Sequence, residues 1–361
     1  MPFSHHSHSG QFCTHASNTL EEMVQAAIAR KMRVYALTEH MPRNAPEDLY
    51  PEEHLSPTDL PKLFTAFLTE AHRLRTIYAS QITLLIGFES EYIRPNSLPL
   101  LRSLLTTHNA PHSPTPIDFF VGSLHHALTI PIDYSRELYE EAVRAAGGTH
   151  EALWARYFDE QHEMLAELRP VVVGHFDVVR LFAGVEAFER GAAANATEKK
   201  TNVPRRSAVE EAQHPTRNRW PPAVWRRVLR NLHFIRAYGG LLELNSAGLR
   251  KGLGEPYPGR EICRAFLNMG GAFTLSDDAH GVAHVATHYA ALLAFIDEMG
   301  IKEVCYLERA PASLSARDEG GKRKESSHEG GGSGGQGVVV RTVSVEEMRG
   351  WEFWEGLRDE D

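Results

Sequence analysis

The sequence predicts an α/β barrel of parallel strands, with one polar site on the rim formed by the strands' C-terminal ends. Two observations predict it. Short apolar runs alternate with segments of helical period through most of the 361 residues, as expected of a parallel sheet covered by helices. Almost every run also ends in a His, Glu, Asp or Asn. Barrel strands bring such ends to a single rim, whereas an open sheet concentrates its site at one switch point.

The chain opens with Ser4-His5-His6-Ser7-His8. On extended backbone His6 and His8 share a face and His5 takes the other, so His6 and His8 are candidate ligands and His5 a bystander. His15 follows a Gly-containing loop and precedes a helix expected from Leu20 to about Lys31, with Asn18 as N-cap and Glu21 completing a capping box. Strand Arg33–Leu37 delivers His40, and Glu39 beside it is either an orienting group or a surface carboxylate. A helix over Leu60–Tyr78 carries Leu60, Leu63, Phe64, Phe67, Leu68, Ala71 and Leu74 on one face.

Strand Ile82–Gly87 leads to Glu89 and Glu91 at same-face spacing. Glu89 is the candidate to bridge two metals through its two oxygens; Glu91 orients a ligand or lies near the substrate. Strand Phe119–Ser123 leads to His125 and His126, which as neighbours cannot both face the site. Val171–Gly174 leads to His175, Gly240–Leu244 to Asn245, and Ala272–Leu275 to Asp278 and His280, although Ser276-Asp277-Asp278 alone also reads as a turn or cap. Glu303–Leu307 and Val338–Val343 are expected to pair as a terminal hairpin, followed by a short helix with Ser344 and Glu347 as its capping box.

Composition narrows the partners. No apolar run reaches about 18 residues, which argues against a membrane span. The formal charge of −9 with no basic stripe argues against nucleic acid. Three scattered cysteines, Cys13, Cys263 and Cys305, fit a reducing compartment, and loss of a cleaved leader would remove His6, so a cytoplasmic protein is expected. Two polar, low-complexity stretches, 189–220 and 310–337, read as flexible insertions in a single domain spanning 1–361.

Nine candidate donors suit two or three divalent ions, zinc, iron or manganese, better than one. No Ser or Cys stands in a triad setting, which favours direct attack by water. Several fragments together resemble the polymerase-and-histidinol-phosphatase (PHP) superfamily of metal-dependent phosphoesterases. They are His6-Ser7-His8 with Phe12-Cys13-Thr14-His15, Thr38-Glu39-His40, Ile86-Gly87-Phe88-Glu89, Gly174-His175-Phe176-Asp177 and Ser276-Asp277-Asp278-Ala279-His280. The run Leu242 to Lys251, with Tyr257-Pro258 after it, is similar to the superfamily's monofunctional histidinol-phosphate phosphatases. The resemblance covers His6 to about Leu307, without the stretch near 189–220.

What the resemblance implies is a distorted (β/α)7 TIM-like barrel holding three metals, with His125 preferred over His126. His6, His8, Glu89 and Asp278 would hold the first ion, Glu89, His125 and His175 the second, and His15, His40 and His280 the third. The implied reaction is hydrolysis of L-histidinol phosphate in histidine biosynthesis, with Glu89, Asp278 and His280 at the chemistry; the general acid is left open between Asp278, His280 and metal-bound water. Arg250 and Asn245 would meet the phosphate or substrate, because a guanidinium matches phosphate geometry, and Glu91 would meet the substrate's amine or imidazole. The alternatives are the same barrel acting on a nucleotide, phosphopeptide or nucleic-acid end, and a non-catalytic metal-binding protein.

Overall fold

The computed structural model describes residues 2–50, 53–110, 112–184, 219–310 and 337–354. The expected insertions at 189–220 and 310–337 lie outside these residues except at their edges. One edge is ordered: Trp220 is buried, with its ring 5.0 Å from Trp154 and 5.6 Å from Phe158. The core therefore resumes before the expected boundary.

Strands β1 (Phe3–Ser4), β2 (Val34–Leu37) and β3 (Thr83–Ile86) form a parallel sheet in that order. After β4 (Glu89–Glu91) and β5 (Val121–Ser123), a small antiparallel hairpin pairs β6 (His126–Ala127) with β7 (Ile130–Pro131). Then come β8 (Val172–Val173), β9 (Leu241–Asn245) and β10 (Ala272–Ser276). The second parallel sheet runs β10-β9-β8-β5-β4. Backbone pairing links the sheets on both sides. Glu89 donates its N–H to the Glu39 carbonyl at 3.0 Å, and His8 donates to Ala279 at 2.8 Å, beside isolated bridges His40–Glu89 and Ser7–Ala279. Because the paired strands are parallel, the residues that follow each one emerge on the same side.

Strands β2, β8 and most of β3 and β10 are buried on both faces and largely apolar, as helix-covered parallel strands must be. Helix Leu60–Ile77 buries Leu60, Phe64, Phe67, Leu68, Ala71 and Leu74, and full burial of one such leucine or phenylalanine stabilises by about 1.5–3 kcal/mol. Leu63, expected on that face, is only partly buried. The first helix, Leu20–Ala29, is capped one residue later than expected. Thr19 accepts from the Glu22 N–H while the Glu22 carboxylate receives the Thr19 N–H. Asn18 instead adopts φ 68° and accepts from Val282, and Glu21 turns to Tyr78 and Arg73.

Strands β11 (Glu303–Arg309) and β12 (Val338–Ser344) form the expected antiparallel hairpin, with Ala310 N–H bonded to the Gly337 carbonyl at its tip. The His5 ring docks it: Nε2 accepts from the Leu307 N–H at 3.0 Å, and Nδ1 lies 3.0 Å from Thr274 Oγ1. Ser344 caps the closing helix Val345–Arg349 by accepting from Glu347 N. Among the described residues no helix is long and apolar enough to cross a membrane.

Candidate metal centre

The strand ends deliver all nine expected donors to one place. His6 leaves β1 with Nε2 3.1 Å from Glu89 Oε1 and 3.8 Å from Asp278 Oδ1. His8, two residues on and on the same face, has Nε2 3.3 Å from Glu89 Oε2 and 3.6 Å from Asp278 Oδ1. His125 and His175 point their Nε2 atoms at each other at 3.1 Å, and each approaches Glu89 Oε1, at 3.3 and 2.9 Å. Glu89 thus stands between two groups of imidazoles, one at each oxygen. His40 joins through Nδ1, 3.2 Å from Glu89 Oε2.

The third group is looser. The His15 ring lies 5.4 Å from His40 and 5.1 Å from His280, and His8 packs 4.3 and 4.6 Å from the same two rings. Ligand atoms of His8, Cys13, His40 and His280 gather within 4.8 Å, as do those of His6, His8 and Glu89, of His6, His175 and Asp278, and of Glu89, His125 and His175. Cys13 was not an expected member; its Sγ is 3.3 Å from His15 Nε2.

The donor set fits divalent metal. His6 Nε2, both nitrogens of His8 and both of His40 are buried without a hydrogen-bond partner. Buried polar atoms in proteins are ordinarily paired; all of these but His40 Nε2 lie within 4 Å of a carboxylate without making a hydrogen bond to it. The charges respond to one another. Burial raises the Glu89 carboxyl, but the charges of His6 and His125 outweigh it and hold it well below the usual carboxylate range. Burial likewise disfavours a charged His6, yet Glu89, Asp278 and Glu243 keep its imidazole well above its ordinary value. A dense set of imidazoles and carboxylates held in this way is an arrangement in which a cation can replace the protons.

A ring of carboxylates behind the donors sets their orientation. Glu243 on β9 accepts from His6 Nδ1 at 2.9 Å and from the His175 N–H at 2.8 Å, and it also receives the Ser276 hydroxyl. Glu243 lies within the run Leu242 to Lys251 but had no expected role. Its signal was the alternation Leu242-Glu243-Leu244-Asn245, which places two polar side chains on one face of a buried strand. Gly174 makes room there, since a Cβ would collide with Ser123 Oγ and Val121 Cγ1. Glu39 is buried rather than on the surface, accepting from Ser9 N and Oγ at 2.7 Å and lying 3.5 Å from His8 Nδ1.

Three residues expected near the substrate fall in different places. Glu91 is buried behind the donors, 2.7 Å from His40 Nδ1 and 3.4 Å from His125 Nδ1. Asn245 is fully buried, donating to Glu243 at 3.0 Å and accepting from Ala247 N at 2.8 Å. Arg250 does line the cavity. It also donates to the carbonyls of Asp277 and Asp278 at 2.8 and 2.9 Å, clamping a turn in which Asp278 has φ 48°. A non-glycine residue in that left-handed region is strained by roughly 1–2 kcal/mol, and such strain persists where surrounding contacts fix it.

The centre opens into a cavity of about 370 Å³. Its wall holds His15, His40, Glu89, His125, His175, Asp278 and His280, together with Tyr50, Asp133, Tyr134, Arg250, Lys251 and His284. Tyr50, Asp133, Tyr134 and His284 carried no sequence signal, because each sits in a connection and is placed only by the fold; Lys251 ends the run Leu242 to Lys251 but had no expected role.

The family model described as PHP domain matches residues 4–247. A protein named Probable histidinol-phosphatase from Schizosaccharomyces pombe is 40% identical over 349 residues, 96% of each chain. Histidinol-phosphatase from Saccharomyces cerevisiae is 34% identical over 320 residues, 85% of this chain and 92% of that one. Among solved structures, histidinol phosphate phosphatase from Lactococcus lactis, complexed with zinc, L-histidinol and phosphate, shares the fold at a TM-score of 0.55 and 17% identity, covering 84% of this chain and 95% of that one.

Proposed function

The chain belongs to the PHP domain family, and on that footing we propose that it is a metal-dependent histidinol-phosphatase, releasing L-histidinol and inorganic phosphate from L-histidinol phosphate. The observation that carries this reading is the convergence of imidazoles and carboxylates on one centre that includes Glu89, with buried imidazole nitrogens unpartnered. The relatives named for that activity, which match this chain over most of its length, supply the substrate.

The finer readings follow from the same geometry. The two sheets and their linking backbone bonds suggest a seven-stranded barrel in which β3 and β4 count as one bent strand. His6, His8, Glu89 and Asp278 would hold one ion, Glu89, His125 and His175 a second, and His15, His40 and His280 a third. Zinc, iron and manganese all accept such donors. Three free cysteines suit a reducing cytoplasm.

Bound divalent ions would lower the pKa of water toward neutrality and offset phosphoryl charge. The chain's own residues do the rest. Arg250, Lys251 and His284 present nitrogen donors to the phosphoryl oxygens. Glu39, Glu91 and Glu243 keep the imidazoles facing the centre. His280 has Nδ1 2.9 Å from the Asp278 carbonyl, which leaves Nε2 as its outward atom. Asp278 or His280, both on the cavity wall, holds the proton for the departing alkoxide.

The test is metal analysis alongside phosphate release from L-histidinol phosphate and a panel of phosphomonoesters. The expected result is bound divalent metal, a preference for L-histidinol phosphate, and loss of turnover on chelation. Equal turnover of the whole panel would remove the substrate assignment and leave a phosphatase.

A further inference from the structure

We propose that Asp133, backed by the aromatic pair Tyr50 and Tyr134, determines substrate specificity by receiving the ammonium and imidazole end of an amino-alcohol phosphate. The proposal rests on the phosphatase reading above and names the group that selects the leaving alcohol.

The cavity wall is sorted by charge according to chain origin. Its cations, Arg250 and Lys251, follow β9, and His284 follows β10. Tyr50 follows β2, and Asp133 and Tyr134 follow β5 and its attached hairpin. Strand β8 separates β5 from β9 in the sheet, so the two groups come from different sectors of the rim. Of the three carboxylates on the wall, Glu89 and Asp278 are surrounded by imidazoles. The Asp133 carboxylate makes no hydrogen bond or ion pair among the described residues. Glu91, the sequence's candidate for this role, is behind His40 and His125 and absent from the wall.

Asp133 is also held in place. The neighbouring Ile132 N–H donates to the His125 carbonyl at 2.9 Å. The hairpin before it turns through Leu128 and Thr129, at φ 54° and 66°, with the Leu128 N–H received by the Glu160 carboxylate at 3.2 Å. The Tyr50 ring stacks on Tyr134 at 5.0 Å and 15°, and the Arg43 guanidinium lies 5.1 Å from its centre. A carboxylate on a backbone held in this way, lining the same wall as two tyrosines, suits a cation joined to a flat heteroaromatic ring, and a charge-assisted pair of this kind is worth more than a neutral one.

The experiment compares kcat/KM for L-histidinol phosphate and p-nitrophenyl phosphate in the metal-loaded wild type, Asp133→Asn and Asp133→Glu, with calorimetric titration of L-histidinol into each. In Asp133→Asn the ratio of the two kcat/KM values should fall about tenfold or more, mainly through KM, and L-histidinol binding should weaken in parallel. Asp133→Glu should recover part of both. An unchanged ratio, or L-histidinol binding as tight as in the wild type, overturns this proposal and leaves the phosphatase reading intact. A wild type without preference for L-histidinol phosphate overturns both.

Discussion

Two buried clusters of charge in this molecule are built on opposite rules. Around Glu255, every carboxylate meets a permanent cation. Arg180 pairs with Asp177 at 2.8 Å and with Glu255 at 3.3 Å, while Arg219 and Arg260 reach Glu255 at 3.0 and 3.1 Å. Around Glu89, the ion-pair partners of the carboxylates are imidazoles, and several imidazole nitrogens have no hydrogen-bond partner. An arginine stays charged and brings five N–H donors in a fixed fork, so the first cluster is complete as built. An imidazole can exchange its proton for a metal, so the second is built to receive a cation. The difference separates a structural ion network from a functional one, although both are buried and both mix signs.

The largest effect expected from testing this contrast is at the shared carboxylate. Glu89→Gln should abolish phosphate release and lower bound metal by more than the roughly 10–100-fold typical of a group behind the ligands. Metal analysis reads it, and full metal content in the variant would contradict a bridging Glu89. Next is the self-balanced cluster. Arg180→Met leaves Asp177 and Glu255 short of a buried partner and should cost about 3–5 kcal/mol of stability. Denaturant unfolding measures this, with the metal content of the folded fraction unchanged.

Glu243→Gln should weaken metal affinity or turnover roughly 10–100-fold without unfolding the protein, because it removes the charge that orients His6. Chelator competition distinguishes it from Glu89→Gln. The smallest effect is at a satellite of the balanced kind, where Asp118 pairs with Arg75 at 2.6 Å and Arg75 lies beside His72. Burial, then the Arg75 cation, push the His72 imidazole down from 6.5 to about 4. Its folded pKa is below the unfolded value, so its contribution is complete above pH 6.5 and is lost as pH falls toward 4. His72 is only half-buried, so the loss should stay below about 1 kcal/mol. The wild type should lose that much more than His72→Gln between pH 7 and 4.5.

Much of this was legible along the chain. The eight strands expected from apolar runs begin and end within two residues of their expected positions, because such runs bounded by polar residues are a local pattern, whereas β1, β4, β6 and β7 were not expected. Most candidate donors were legible because they stand just past such a run, His6 and His8 because of their spacing. The cap at Thr19 was misplaced by one residue since Asn18 and Thr19 are both good caps, and only contact with Val282 removes Asn18 from the competition. Asn245 was expected at the substrate from the resemblance and Glu91 either there or orienting a ligand; both are buried, and the sequence marks a polar residue at a strand end without saying how deep it lies.

The sequence by itself determined the alternation of strand and helix, the spacing that puts His6 and His8 on one face, and a set of candidate donors at strand ends. These depend on neighbours a few residues apart. Only the tertiary structure decided that Glu243 would reach His6 across 237 positions, that Arg250 would hold the Asp278 turn, and that Asp133 and Tyr50 would share a wall with the metal donors. Such juxtapositions follow from which strands pair and how their connections lie over the rim, and local periodicity carries no trace of them.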